Sequence, residues 1–281
     1  MAEDEQAAGS RSPHIEEAER AQAAEHSALR PLVVHEIVRE EGEAALCRSP
    51  GSLAWSGLAA GLSMGFSFLA QALLQAGLPD APWRHLVAGL GYTVGFVIVI
   101  LGRQQLFTES TLTAVLPVLT RRDAGTLAAA GRLWGIVLLA NLAGTWIFAL
   151  LLQPGGTFRP EAVEALRQLA RAALPGDFGA TVLKSVFAGW LIALMVWLLP
   201  SARSARLLTI LVITYVVALA RLSHVVAGSA EAAYAVLQGL AAPADYLTAF
   251  LLPTLIGNVV GGVALVALLN HGAIVDEIRP G

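Results

Sequence analysis

Six predominantly apolar stretches run along this chain of 281 residues, at roughly 53–76, 86–119, 127–152, 179–199, 206–240 and 247–270. A helix that crosses the hydrocarbon core of a bilayer needs about 20 such residues in a row, so each stretch predicts a transmembrane helix. Four of them read as single uninterrupted crossings. The second and fifth are too long for one crossing and carry polar residues at mid-length: Arg103-Gln104-Gln105 leading into Leu106-Phe107-Thr108-Glu109, and Arg221-Leu222-Ser223-His224. These interruptions predict broken helices within an all-α membrane protein of six transmembrane helices. Ahead of the first span, Leu32, Val33, Ile37 and Val38 interleave with Glu36, Arg39 and Glu40 after Pro31. That pattern predicts a short amphipathic helix lying along the membrane surface.

The third and sixth spans share a pattern, Leu139-Ala140-Asn141-Leu142-Ala143-Gly144 against Ile256-Gly257-Asn258-Val259-Val260-Gly261. Thr108 precedes Asn141 by 33 residues and His224 precedes Asn258 by 34, which pairs Thr108 with His224 across the two halves. Each half is then three spans with its break in the middle one. Because three is odd, the halves cross the membrane in opposite senses, an inverted repeat. Inverted repeats with interrupted helices place their substrate site near the bilayer midplane, at the repeat interface. Freed backbone groups at membrane depth are tolerable only when buried in protein or lining an aqueous cavity, and the N-terminal ends of half-helices favour an anion. Glycines four apart, at Gly57, Gly61 and Gly65, at Gly91 and Gly95, and at Gly257 and Gly261, predict helices whose backbones approach closely.

Charge divides the chain. Residues 1–48 hold eleven of the 21 acids and five of the 18 Lys and Arg residues, leaving 23 charges on the other 233 residues. That sparseness excludes an ordinary soluble enzyme, which carries about 25% charged residues. The expected organisation is an acidic N-terminal extension over 1–48, a transmembrane transport domain over 49–272 and a short tail over 273–281. Residues 1–30 are acidic, Ala-rich and poor in large apolar residues, a composition of disorder or a loose helix. Arg121 and Arg122 follow the second span and Arg203 and Arg206 the fourth, which puts both termini in the cytoplasm by the positive-inside rule. The single cysteine, Cys47, excludes an internal disulfide, and His35-Glu36 lacks the second histidine of a zinc helix. No metal or cofactor is expected. A net charge of −3 without a basic run argues against nucleic acid as a partner.

Leu106-Phe107-Thr108, His224, Trp190 with the run through Trp197, and Leu255-Ile256-Gly257-Asn258-Val259-Val260-Gly261-Gly262 resemble the signatures of the formate/nitrite transporter family across residues 45–271. The long form from Arg103 to Glu109 resembles a divergent bacterial branch. The resemblance implies an aquaporin-like fold in the bacterial inner membrane, assembled as a homopentamer with a pore for small monovalent anions in each protomer. It further implies an outer constriction including Tyr92 and Val217, an inner one of Phe96, Leu106 and Phe107, and Thr108 facing His224 between them. Where the family carries an acid before Leu-Phe-Thr, this chain has Gln105. The acid before the histidine is Ser223 here, and the asparagine four residues after it is Gly228.

A charge at mid-membrane costs about 2.5–3.5 kcal/mol even on the insertion scale, so Arg103, Glu109 and Arg221 are expected to face the protein interior. One arrangement pairs Arg221 with Glu109; the other puts them against the permeant. Lys184 is expected to snorkel to the interface. The pore reading has a weak-acid anion drawn into a vestibule and carried past the apolar rings as the neutral acid, with His224, or a water bound to it, giving the proton and Thr108 a hydrogen bond. Histidine suits the task because its ordinary pKa of about 6.5 is readily moved across the working range. Asn141 and Asn258 complete the polar residues expected at the pore. The alternatives are a pore for a small neutral solute, and a membrane sensor or scaffold that signals through its acidic head. An enzyme is excluded for want of a base and an orienting acid beside the histidine and threonine.

Overall fold

The structure, a computed structural model, describes Glu16 and residues 29–153, 156–174 and 177–275. The expectations for the rest of the first 28 residues, and for the tail beyond residue 275, lie outside the described residues. The helices are α1 (Pro31–Leu46), α2 (Pro50–Gly77), α3 (Arg84–Leu101), α4 (Phe107–Thr113), α5 (Val115–Arg121), α6 (Ala124–Leu151), α7 (Pro160–Ala172), α8 (Phe178–Leu198), α9 (Arg206–Leu219), α10 (Ala227–Leu237) and α11 (Pro243–Ile274). Two π-helical stretches, Tyr246–Leu251 and Val263–Leu268, lie within α11.

Local chemistry sets the helix starts. Pro31, Pro50, Pro160 and Pro243 each open a helix, where the missing N–H costs nothing and the fixed φ is already helical. Ser49, Asp123 and Asp177 accept the N–H of Ser52, Thr126 and Ala180 at 3.2, 2.8 and 2.5 Å, side-chain N-caps on α2, α6 and α8.

Five helices, α2, α3, α6, α8 and α11, are long and apolar enough to cross a membrane. The apolar stretch at 206–240 is divided between α9 with 14 residues and α10 with 11, each short of a full crossing. Both expected interruptions are present, after Leu101 and after Leu219.

The element order repeats: a long helix, a broken one, a long one. The first and third of each set pack together, α2 on α6 and α8 on α11, and small residues permit the crossing. A Cβ on Gly144 would lie 2.5 Å from the Leu58 carbonyl oxygen and 2.7 Å from the Leu62 nitrogen. A Cβ on Gly261 would meet the Val186 carbonyl oxygen and lie 2.7 Å from the Trp190 nitrogen.

Two features add to the sequence pattern. The helix after Pro31 buries Val34, His35, Val38, Gly42, Ala45 and Leu46 against α4, α5, α6, α8 and the end of α11, and leaves Val33 exposed. The contact residues past Val38 are Gly42, Ala45 and Leu46, two of them small, so the sequence shows little of this docking face. The connection at 153–178 contains α7, whose buried Ala162, Ala165, Leu166 and Ala170 pack on α2 and α10.

Candidate functional site

Each break is built in the same way. At the end of α3 the Gln104 N–H donates to the Val99 carbonyl at 3.0 Å and the Arg103 N–H to Ile100 at 3.2 Å. At the end of α9 the Leu222 N–H donates to Val217 at 3.0 Å and the Arg221 N–H to Ala218 at 3.1 Å. Both turns are Schellman caps, and the left-handed position that usually holds glycine holds Arg103 with φ 50° and Arg221 with φ 47°. A side chain in that region costs roughly 1–2 kcal/mol.

A buried asparagine then fixes the residue that starts the next half-helix. Asn141 Oδ1 accepts the Phe107 N–H at 2.9 Å, while its Nδ2 donates to the Gly57 carbonyl at 2.7 Å and the Gln105 carbonyl at 2.9 Å. Asn258 Oδ1 accepts the Val225 N–H at 2.8 Å, while its Nδ2 donates to Ser185 at 2.8 Å and Ser223 at 3.0 Å. Both asparagines are fully buried and commit their amides to backbone, so they brace the breaks.

This bonding corrects the register between the halves. Phe107 matches Val225, Arg103 matches Arg221 and Gln105 matches Ser223. His224 therefore corresponds to Leu106, and Thr108 corresponds to Val226. Aligning the two polar side chains, as the sequence invites, misses by two residues.

Thr108 and His224 nevertheless meet, with Oγ1 2.8 Å from Nε2, and both are buried. His224 Nδ1 accepts the N–H groups of Val226 at 3.3 Å and Ala227 at 3.1 Å. A nitrogen that accepts carries no hydrogen, so the ring is in its Nε2–H form and donates to Thr108. The imidazole also caps the start of α10. Phe96 packs against it in a T-shaped pair, with centroids 5.1 Å apart at 79°, and the Tyr92 ring lies 5.3 Å from that of Phe96. Leu106, Phe107, Val217 and Val225 belong to the same buried apolar cluster. Phe107 turns its ring to Trp134 of α6, 5.8 Å away.

Cavities open at the two ends of α3. The α1-side cavity, about 480 Å³, is lined by Arg48, Arg103, Gln105, Leu106, Glu109 and Arg206 among others. The α7-side cavity, about 470 Å³, is lined by His85, Tyr92, Lys184, Arg221, Ser223 and Glu231 among others. Glu109 and Arg221 thus face different cavities, and the pair considered from the sequence does not form. Arg103 instead meets Glu41 at 3.0 Å. Lys184, exposed on α8, lines the cavity that also holds Arg221. Glu231 is a site residue that the reading of the sequence passed over, although a single acid in the apolar run from Ala227 to Leu237 is signal enough.

The α1-side mouth is closed partly by α1 itself. His35 is fully buried, with Nε2 3.2 Å from His271 Nδ1 on α11 and Nδ1 3.0 Å from Glu36. Burial pulls the His35 pKa below its ordinary value, against the opposing pull of Glu36. The hydrogen bond from Arg39 holds Glu36 below the usual carboxylate range.

Comparison with known proteins places this arrangement. The model of the formate/nitrite transporter family matches residues 33–272, starting inside the segment expected to be an extension. The chain is 40% identical over 249 residues to inner membrane protein YfdC of Escherichia coli K12, covering 89% of this chain and 80% of that protein. It is 27% identical over 254 residues to the formate channel FocB of the same organism, covering 79% and 87%. Among solved structures, an FNT family ion channel superposes with a TM-score of 0.70 at 23% identity, over 86% of this chain and 96% of the other. A pentameric formate channel with formate bound gives a TM-score of 0.68 at 18% identity, over 84% and 99%. These structural likenesses carry the fold. The named transport relatives are channels and transporters, not enzymes. With the family match running from α1 to the end of α11 and a relative at 40% identity, the chain belongs to the formate/nitrite transporter family.

Proposed function

We propose that the chain is a multi-pass pore of the bacterial inner membrane for small monovalent anions of weak acids, formate-like or nitrite-like, assembled as a homopentamer with a pore in each protomer. The second crossing is α3 with α4 and α5, the fifth is α9 with α10, and the two halves form an inverted repeat. Support comes from the family, from relatives named as a formate channel, a nitrite transporter and an inner membrane protein, and from the pentameric formate channel that shares the fold. The α1-side end carries Arg48, Arg121, Arg122, Arg132, Arg203 and Arg206, so the positive-inside rule makes it cytoplasmic and the α7-side cavity the outer vestibule.

The observation that carries the reading is the Thr108–His224 contact at 2.8 Å, buried under Phe96 between two cavities. In this pathway Arg221 and Lys184 draw an anion into the outer vestibule. The apolar rings, Tyr92 with Val217 and Phe96 with Leu106 and Phe107, then disfavour a bare charge, and the species that passes is the neutral acid. His224 Nε2–H donates to it and Thr108 Oγ1 offers a second polar contact. The backbone N–H groups on Nδ1 polarise the ring and make Nε2–H a better donor.

Uptake into proteoliposomes loaded with a pH dye tests this, comparing formate, nitrite, acetate and glycerol at acidic and neutral pH in the native protein and His224→Phe. Anion uptake that rises at acidic pH and is lost in the variant is the expected result. Glycerol uptake without anion uptake, from an intact oligomer, refutes the anion reading.

A further inference from the structure

If the permeant crosses as a neutral acid, it must collect a proton before the apolar rings, and the centre is poorly built to give one. The single hydrogen of the His224 ring is on Nε2, and giving it away leaves an imidazolate. A second hydrogen on Nδ1 would displace the bonds from Val226 and Ala227. Thr108 is an alcohol.

The outer vestibule holds a better donor. Glu231 lines it from α10, and Tyr92, in the same wall, starts the ring ladder through Phe96 to His224. Among the described residues Glu231 makes no hydrogen bond and no ion pair with either Lys184 or Arg221. The titratable or charged groups facing that cavity from the elements around it are Lys184 from α8, Arg221 from the break, and His85 and Tyr92 from α3. Two cations able to hold an anion thus share one space with an unpaired carboxyl. Arg221 is kept in a left-handed conformation where glycine would be unstrained, a cost that persists where a side chain is required.

We infer that Glu231 is the proton donor of the outer vestibule, a role that rests on the weak-acid reading above. Protonated Glu231 transfers its hydrogen to an oxygen of the anion held by Arg221 and Lys184. The O–H bond of Glu231 breaks, the O–H bond of the permeant acid forms, and nothing is oxidised or reduced. The neutral acid moves past Tyr92 and Val217 to the Thr108–His224 pair. Glu231, left as a carboxylate, takes its next proton from hydronium on the outer side. The acid gives its proton to water in the inner cavity.

The test is formate uptake by proteoliposomes of the full chain across a pH series, for the native protein, Glu231→Gln, Glu231→Asp and His85→Gln. Glu231→Gln is expected to abolish the acid-side rise and lower acid-pH uptake about a hundredfold, the low end of what a positioned proton donor contributes. Glu231→Asp restores the pH dependence at a lower rate, and His85→Gln keeps it. A Glu231→Gln profile that matches the native one overturns this role and leaves the anion pore standing; a rise lost in His85→Gln assigns the proton to the histidine and also overturns it. No uptake of any weak acid by the native protein overturns both readings. Labelling of the native protein with a hydrophobic carbodiimide, which attacks protonated carboxyls, is independent of how the variants fold. Peptide mapping is expected to find the adduct on Glu231 with uptake lost, and an unlabelled Glu231 counts against the proposal.

Discussion

Replacing Asn258 by leucine, a near-isosteric apolar side chain, removes the brace of the second break without opening a cavity. Three hydrogen bonds disappear, but their costs differ. The Ser185 carbonyl lies inside α8 and keeps its helical partner. The Val225 N–H and the Ser223 carbonyl lie in the break, bonded to Asn258 at 2.8 and 3.0 Å, and are left without one. A buried polar group stripped of its partner costs about 1–3 kcal/mol, so the expected loss is about 2–6 kcal/mol. Interhelical side-chain bonds in membrane proteins average about 0.6 kcal/mol because the unfolded chain also finds partners, which favours the lower half of that range. At roughly 2–4 °C per kcal/mol, the apparent unfolding midpoint in detergent falls by roughly 4–16 °C. Asn141→Leu strands the Phe107 N–H and the Gln105 carbonyl and is expected to match it. Both variants unfolding within about 2 °C of the native protein would refute the argument that these amides hold the breaks.

Two further predictions rest on particular contacts. A Cβ at Gly189 would meet the backbone of Asn258, with Cα at 2.7 Å and carbonyl carbon at 2.8 Å, so Gly189→Val is expected to force α8 from α11 and lose the folded oligomer on size exclusion, whereas Gly135→Ala, in open space, leaves it unchanged. Burial lowers the His35 pKa in the docked helix, so the released helix binds more protons below about pH 6.5; docking is therefore fully present above that pH and lost as pH falls, and amide exchange over residues 31–46 is expected to quicken on acidification, with unchanged protection contradicting it.

What the sequence discloses follows from how far each feature depends on local chemistry. The two breaks are legible because Arg103-Gln104-Gln105 and Arg221-Leu222-Ser223-His224 interrupt apolar runs too long for one crossing. The Asn-x-x-Gly match is legible because asparagine is rare in such helices. The register is not, since the eye aligns Thr108 with His224 by polarity while the fold aligns Phe107 with Val225 by which N–H reaches the asparagine. The docking of α1 is hidden for another reason: its contact residues include Gly42 and Ala45, and the histidine meeting His35 lies 236 residues away. No local pattern encodes a contact of that kind. The absence of an Arg221–Glu109 pair is likewise a matter of which end of α3 each residue reaches.

The corrected register also says how a repeated scaffold acquires an unsymmetrical centre. Under an inverted repeat, the contact between Thr108 and His224 has a counterpart between the matching residues, Val226 and Leu106. Both of these are apolar and fully buried in the shared core cluster. The polar bridge is thus made once and its mirror contact is filled with hydrocarbon. Two polar bridges would leave more buried groups to satisfy. One bridge beside an apolar partner leaves a single set of side-chain hydrogen bonds at this centre. The backbone braces, by contrast, are kept in both halves, since Asn141 and Asn258 do the same work for each break. The repeat therefore persists where backbone must be satisfied and lapses at the buried centre, where one polar contact stands opposite apolar residues.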